Sequence, residues 1–193
     1  MGSRHLPDFA ELIVRLSNAL RNEELPFMLI GGQAVLLHGQ PRLTEDIDIT
    51  LGVSPKALPS VLTACQEADL DILPDDPADF VVDTYVLPAV DPASSIRIDL
   101  IFSDLPYEQQ AIERAVMVEL SDVPIPFASA EDLILHKLFS ARPRDIEDIR
   151  GVVRIRGEVL DWDYIEQWAG EFAVIPGRQD ILDQLRDIRS TSS

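Results

Sequence analysis

Cysteine is nearly missing from this chain. Cys65 is the single thiol, which excludes an internal disulfide and any cysteine-based metal centre. It lies in a helical pattern beside Val61 and Leu62, the setting of a buried structural thiol rather than a nucleophile. Histidine is as scarce, with three residues, and no His/Cys/Asp set has zinc spacing. No apolar run approaches the ~20 residues that cross a bilayer, and the N-terminus shows no apolar core of a signal peptide. A soluble, cytoplasmic protein with no membrane partner is the expectation. Positive charge is the other scarcity. Sixteen Lys and Arg face 34 Asp and Glu, a formal net charge of −18, which argues against broad nonspecific binding to nucleic acid or anionic membrane. Dinucleotide and P-loop fingerprints are absent, as is any Gly-x-Ser-x-Gly or Cys/His arrangement for nucleophilic catalysis. There is no internal repeat and no low-complexity tract.

What is present begins with enough chain for a real core: 193 residues, 46% of them hydrophobic. The most informative stretch is Phe27 to Leu51. Phe27 to Ile30 is a continuous apolar run between Pro26 and Gly31, as in a buried strand. Gly31 and Gly32 free the backbone, Gln33 to His38 reads as two turns of helix, and Gly39 with Pro41 ends it. Asp46, Ile47, Asp48, Ile49, Thr50 and Leu51 then alternate polar and apolar. A period of two puts Asp46 and Asp48 on one face of a half-buried strand. Two like charges at that spacing repel, so a cation is expected over them. Paired carboxylates suit Mg²⁺, a hard ion that shares its coordination with phosphates. Backbone N–H groups at the glycine-opened helix start offer an anion site. A solvated sheet face and an ordinary turn would look the same. Ile96 to Phe102 adds a second strand-like run with Asp99 between Ile98 and Leu100. If the two strands are neighbours, Asp99 completes a three-carboxylate cluster, and three converging acids require a metal.

The rest of the chain reads as helices and hairpins around these strands. Residues 7–23 carry Phe9, Leu12, Ile13, Leu16 and Leu20 at helical spacing, with Pro7 near the start. Ser54 to Asp69 is expected as one helix capped by Ser54, with Pro59 its weak point. Residues 70–82, with Asp71, Asp75, Asp76 and Asp79, read as a solvated acidic loop with room for a short helix near Ala78 to Asp83. Tyr85 to Ala89 pairs with 96–102, and 115–120 with 122–127 about a Ser121-Asp122 turn. Ser129-Ala-Glu-Asp132 is a capping box in front of an apolar run. Helices are expected over 133–141, 144–154, 161–172 and 179–188, with 190–193 a frayed tail. The only local excess of positive charge lies between Lys137 and Arg156. Most of it reads as solvated helix charge, with Arg144 set to pair Asp148 at i, i+4. His38 reads as a satisfied histidine at a helix end.

The combination of Ile30-Gly31-Gly32, Asp46-Ile47-Asp48-Ile49 and Ile98-Asp99-Leu100 resembles the nucleotidyltransferase (polymerase-beta-like) superfamily. A longer likeness is to its abortive-infection, AbiEii-type toxin branch and uncharacterised relatives. That likeness adds Gln33-Ala34, Arg42, Thr44, Glu131-Asp132-Leu133 to Lys137-Leu138, and Arg144-Asp145-Ile146-Glu147-Asp148-Ile149, and covers roughly residues 25–150. The resemblance implies an α+β nucleotidyltransferase fold, a small mixed sheet flanked by helices. Residues 1–128 would form that core and 129–189 a helical segment closing the nucleotide cleft. It implies transfer of NMP from an NTP such as ATP to an acceptor hydroxyl, with pyrophosphate released. Asp46, Asp48 and Asp99 would be catalytic and metal-holding, with two Mg²⁺ ions or Mn²⁺ in their place. Gly31, Gly32, Arg42, Thr44 and Lys137 would bind the nucleotide. The acceptor stays open between tRNA, a protein and a small molecule. A toxin acting on tRNA under a cognate antitoxin is one reading. Its alternatives are an antibiotic-type small-molecule nucleotidyltransferase and a noncatalytic nucleotide-binding module.

Overall fold

A computed structural model describes residues 9–191. The described residues form two compact units: 9–30 with Thr44–Phe127, and Gly31–Leu43 with 128–191. Segment 31–43 clusters with the residues after Phe127.

The first unit holds the whole sheet. Its strands are β1 (Phe27–Leu29), β2 (Asp46–Leu51), β3 (Asp71–Ile72), β4 (Val86–Val90), β5 (Arg97–Phe102), β6 (Val116–Leu120) and β7 (Val123–Phe127), in the order β3-β4-β5-β2-β1-β7-β6. β2 runs parallel to β5 and β1 parallel to β7, while the other neighbours are antiparallel, so the sheet is mixed as expected. The alternation in β2 decides which side is core. Ile47, Ile49 and Leu51 are fully buried, and their register partners Ile98, Leu100 and Phe102 are buried beside them. Each such side chain contributes about 1.5–3 kcal/mol of burial. Asp46 and Asp48 therefore take the other face.

Helices α1 (Phe9–Asn22), α3 (Leu58–Glu67), α4 (Pro77–Thr84) and α5 (Pro106–Glu113) complete this unit, with α1 packed on α3 and β7. The expected helix start at Pro7 lies outside the described residues. The helix expected over 54–69 is divided. A 3₁₀ turn at Pro55–Ala57 precedes α3, Pro59 falls in the first turn of α3, and the Ser54 side chain caps nothing. A proline is tolerated only where no intrahelical N–H is needed, so Pro59 moves the start of α3 to Leu58, just before it. The acidic stretch 70–82 is not merely a loop. It supplies β3 and the start of α4, whose first N–H groups, of Ala78 and Asp79, donate to the Asp76 side chain. Ser121 and Asp122 both take positive φ (49° and 63°), the hairpin turn that joins β6 to β7.

The second unit contains α2 (Gly31–His38), α6 (Ala130–Ser140), α7 (Pro143–Arg156), α8 (Trp162–Ala173) and α9 (Ile181–Thr191), with α6 in contact with the other four. The expected cap forms: Ser129 Oγ accepts from Asp132 N at 3.0 Å, and it donates to Asp132 Oδ2 at 2.6 Å in place of the backbone bond of a full capping box. Tyr164 on α8 donates its hydroxyl to Asp132 Oδ1 at 2.7 Å, which ties the α6 start to α8. Ser190 and Thr191, expected in the frayed tail, are helical in α9, and 192–193 lie outside the described residues. No helix among the described residues is long and apolar enough to cross a membrane.

Candidate active site

β2 and β5 lie side by side, which the sequence left conditional. They pair in parallel with Asp48 opposite Asp99 and Asp46 opposite Arg97. Register partners in adjacent strands point to the same side. Asp46, Asp48 and Asp99 therefore share the polar face of two neighbouring strands, with Arg97 at its edge. Thr44 reaches into this group, its Oγ1 donating to Asp46 Oδ1 at 3.1 Å, which orients that carboxylate. The backbone of Asp48 is held as well, since its carbonyl accepts from Ile30 N at 2.9 Å.

The three side chains do not close on one point. Among the described residues no set of three His, Cys, Asp or Glu groups is gathered as a metal-holding cluster. Asp99 Oδ1 instead accepts from Arg97 Nε at 3.3 Å. Arg97 sits two residues before Asp99 on the same strand face and offers the nearest compensating charge. The competition is unequal. The pair is well exposed (58% for Arg97 and 27% for Asp99), and such pairs contribute about 0–1 kcal/mol. A divalent ion attracts carboxylates more strongly. The donor set, oxygen only, has the chemistry of Mg²⁺ or Mn²⁺. The set suits such an ion in register and donor type, and Arg97 is the charge that stands beside Asp99.

The remaining expected residues lie in the second unit. Gly31 opens α2 at φ 59°, a left-handed conformation that glycine takes without a side-chain clash, and Gly32 follows it, buried. Arg42 and Lys137, expected at phosphate, are engaged elsewhere. Arg42 grips Asp148 in a fork, Nε to Oδ1 at 3.0 Å and Nη2 to Oδ2 at 3.1 Å. Lys137 Nζ lies 2.7 Å from Asp148 Oδ2 and 2.9 Å from Asp145 Oδ1. Two cations and two carboxylates form one network, and the Lys137 and Asp148 side chains are only 7% exposed. The expected Arg144–Asp148 pair is not formed: Arg144 donates to the Leu43 carbonyl at 3.3 Å. Asp148 is the deeper acid, and a planar guanidinium approaching from residue 42 matches its two oxygens better than a same-helix neighbour does. Burial disfavours the Asp148 anion, but the bonds and charges of Lys137 and Arg42 outweigh it and hold its carboxyl below the ordinary value.

His38 is buried and satisfied at one nitrogen, Nε2 lying 2.8 Å from the Ala128 carbonyl. Burial lowers its pKa against the help of that carbonyl, so the neutral imidazole donates Nε2–H. This agrees with a helix-end histidine. Cys65 is buried as expected, and burial pushes its thiol up to about 12, which makes it inert as a nucleophile.

Sequence reasoning missed Arg97 and the partners of Lys137. Arg97 was legible, because i, i+2 spacing within Arg97-Ile98-Asp99 puts it on the acid face. The Arg42–Asp148 fork joins residues 106 positions apart and leaves no local signal.

Solved structures share this fold. The antibiotic-resistance factor ANT(2'')-Ia in solution is 14% identical over 94% of this chain and 93% of its own, with a TM-score of 0.54. The lincosamide antibiotic adenylyltransferase LnuA, lincomycin-bound, is 19% identical over 75% of this chain and 96% of its own, with a TM-score of 0.51. An antigenic nucleotidyltransferase-like protein from Paracoccidioides brasiliensis is 17% identical over 95% and 89%, with a TM-score of 0.54. No curated protein matches the chain. At residues 5–181 the chain matches the model of DUF6036, a nucleotidyltransferase family of unknown function, and it belongs to that family.

Proposed function

We propose that this nucleotidyltransferase moves an NMP group from an NTP, ATP being the first candidate, to a hydroxyl of a small molecule. The observation that carries the reading is the parallel pairing of β2 with β5, which sets Asp46, Asp48 and Asp99 on one face. Those three carboxylates would hold divalent metal, Mg²⁺ or Mn²⁺, in one or two sites. Bound there, metal would neutralise phosphate charge and make the acceptor oxygen a better nucleophile. The acceptor oxygen forms a bond to the α-phosphorus, the bond to the bridging oxygen breaks, and pyrophosphate departs with that electron pair. Asp99 takes the acceptor's proton on a carboxylate oxygen, and Thr44 keeps the Asp46 carboxylate oriented. Backbone N–H groups of Gly31 and Gly32 are the proposed phosphate donors. Arg42 and Lys137 would reach phosphate only by loosening their hold on Asp148.

A small acceptor is favoured over RNA by charge and by fold. Amino sugars are cationic, and a chain of net charge −18 attracts them. The fold is shared with LnuA, described as a lincosamide adenylyltransferase, and with ANT(2'')-Ia, described as a resistance factor. A tRNA end, as for an antitoxin-controlled toxin, calls for a basic face, and several cations of the stretch that could supply it are engaged within the chain. Lys137 goes to Asp145 and Asp148, Arg150 to Asp187, and Arg156 to the Leu37 carbonyl. A cytoplasmic setting, where NTPs are abundant, is part of this proposal.

The test is pyrophosphate release from each of the four NTPs with Mg²⁺ or Mn²⁺. Aminoglycosides, lincosamides, total tRNA and protein extract serve as acceptors, with Asp48→Ala as control. Release stimulated by a hydroxylated small molecule, with a product heavier by one NMP, is expected. Label arriving on RNA would replace this acceptor with the tRNA one. NTP binding without release in any mixture would leave a binding module.

A further inference from the structure

The two edges of the sheet are unlike. β3, at one end, has two residues, one of them the exposed Asp71. Short, charged edges of that kind resist pairing with other chains. β6, at the other end, has five residues, Val-Met-Val-Glu-Leu, with no proline or lysine to blunt it.

The prolines of β7 reveal which backbone groups of β6 face outward. Met117 lies opposite Pro126 and Glu119 opposite Pro124. A proline has no N–H, so neither pair can exchange the two bonds of a hydrogen-bonded antiparallel pair. Those bonds belong to Val116, Val118 and Leu120 with their partners, and the N–H and C=O of Met117 and Glu119 point away from β7. No backbone bond to either residue comes from another element among the described residues. Both side chains are exposed, Met117 at 55%. The neighbouring exposed charges Glu113, Glu119 and Asp122 are acidic.

We propose that the outer edge of β6 is a docking site for an extended, basic polypeptide segment of another protein, added as an antiparallel strand. Met117 and Glu119 would supply two donors and two acceptors, Met117 an apolar contact, and the flanking acids the charge complement. A second copy of this chain is disfavoured as occupant because two molecules of net charge −18 repel.

A fluorescent hexapeptide alternating Lys and Val is titrated against the full chain and followed by anisotropy. Two ligands of equal charge serve as controls: the same peptide with its strand-facing amides N-methylated, and a Lys/Pro peptide. Met117→Pro removes one outward N–H while leaving the β6–β7 bonds in place, and far-UV circular dichroism checks its fold. Saturable binding of the Lys/Val peptide, weakened about tenfold or more by Met117→Pro and by N-methylation, is expected. Equal binding of the three peptides would reduce the effect to charge alone and overturn the proposal, as would no binding. A dimer in light scattering that Met117→Pro dissolves would make the occupant a second copy, which also overturns it. If Met117→Pro fails to fold, the N-methylated ligand decides.

Discussion

Asp48 carries the sharpest single-residue prediction. It stands opposite Asp99 in the β2–β5 ladder, where its loss would remove an oxygen proposed to hold metal and would relieve like-charge repulsion. Asp48→Asn should lower NMP transfer by about 10³-fold or more, in pyrophosphate release, while Tm stays level or rises. Arg97→Ala should leave activity in place and change stability by less than about 1 kcal/mol in urea unfolding, because its pair with Asp99 is exposed. Asp148 is the opposite case. Asp148→Ala removes the fork partner of Arg42 and leaves Lys137 with Asp145 alone, and breaking a buried network of this kind costs about 3–5 kcal/mol. Its pH dependence has a definite sign. The Asp148 carboxyl is lowered from 3.8, so its stabilisation is complete above 3.8 and vanishes as pH falls through the lower folded value. His38 is also lowered, and burial brings His136 to about 4, so the unfolded chain binds protons that the folded one refuses. Thermal unfolding should therefore show Tm dropping from about pH 6.5 downward, less so in a His136→Gln variant.

At the level of elements, turns and caps are the places where local chemistry decides. The β6–β7 turn places two L-residues, Ser121 and Asp122, at positive φ. Asn-Gly suits that turn, so the double substitution Ser121→Asn, Asp122→Gly should raise stability by about 0.5–1 kcal/mol in denaturant unfolding. Ser129→Ala should cost about 1–2 kcal/mol, since it removes the cap of α6 and a hydrogen-bond donor to buried Asp132.

Across the whole molecule the dominant quantity is charge. With a net −18, self-repulsion opposes the compact state and is screened by salt. Tm should rise as NaCl goes from about 10 to 150 mM, where the Debye length falls from about 30 to 8 Å. A decrease would mean that ion pairs such as those of Asp148 outweigh the repulsion.

The sequence by itself determined six of the seven strands, most helices, the cap at Ser129, the hairpin turn at Ser121 and the single face shared by Asp46 and Asp48. Each rests on contacts within a few residues or on a repeating period, which a linear chain displays. Only the tertiary structure decided that β2 and β5 are neighbours, that Arg97 answers Asp99, and that Asp148 holds Arg42 and Lys137. Strand order follows from how buried faces are shared, and an ion pair from which charges are desolvated together. Neither is written in local spacing. Proline shows both sides: at 59 it shifted a helix start that periodicity had put earlier, and at 124 and 126 it fixed which side of β6 stays open.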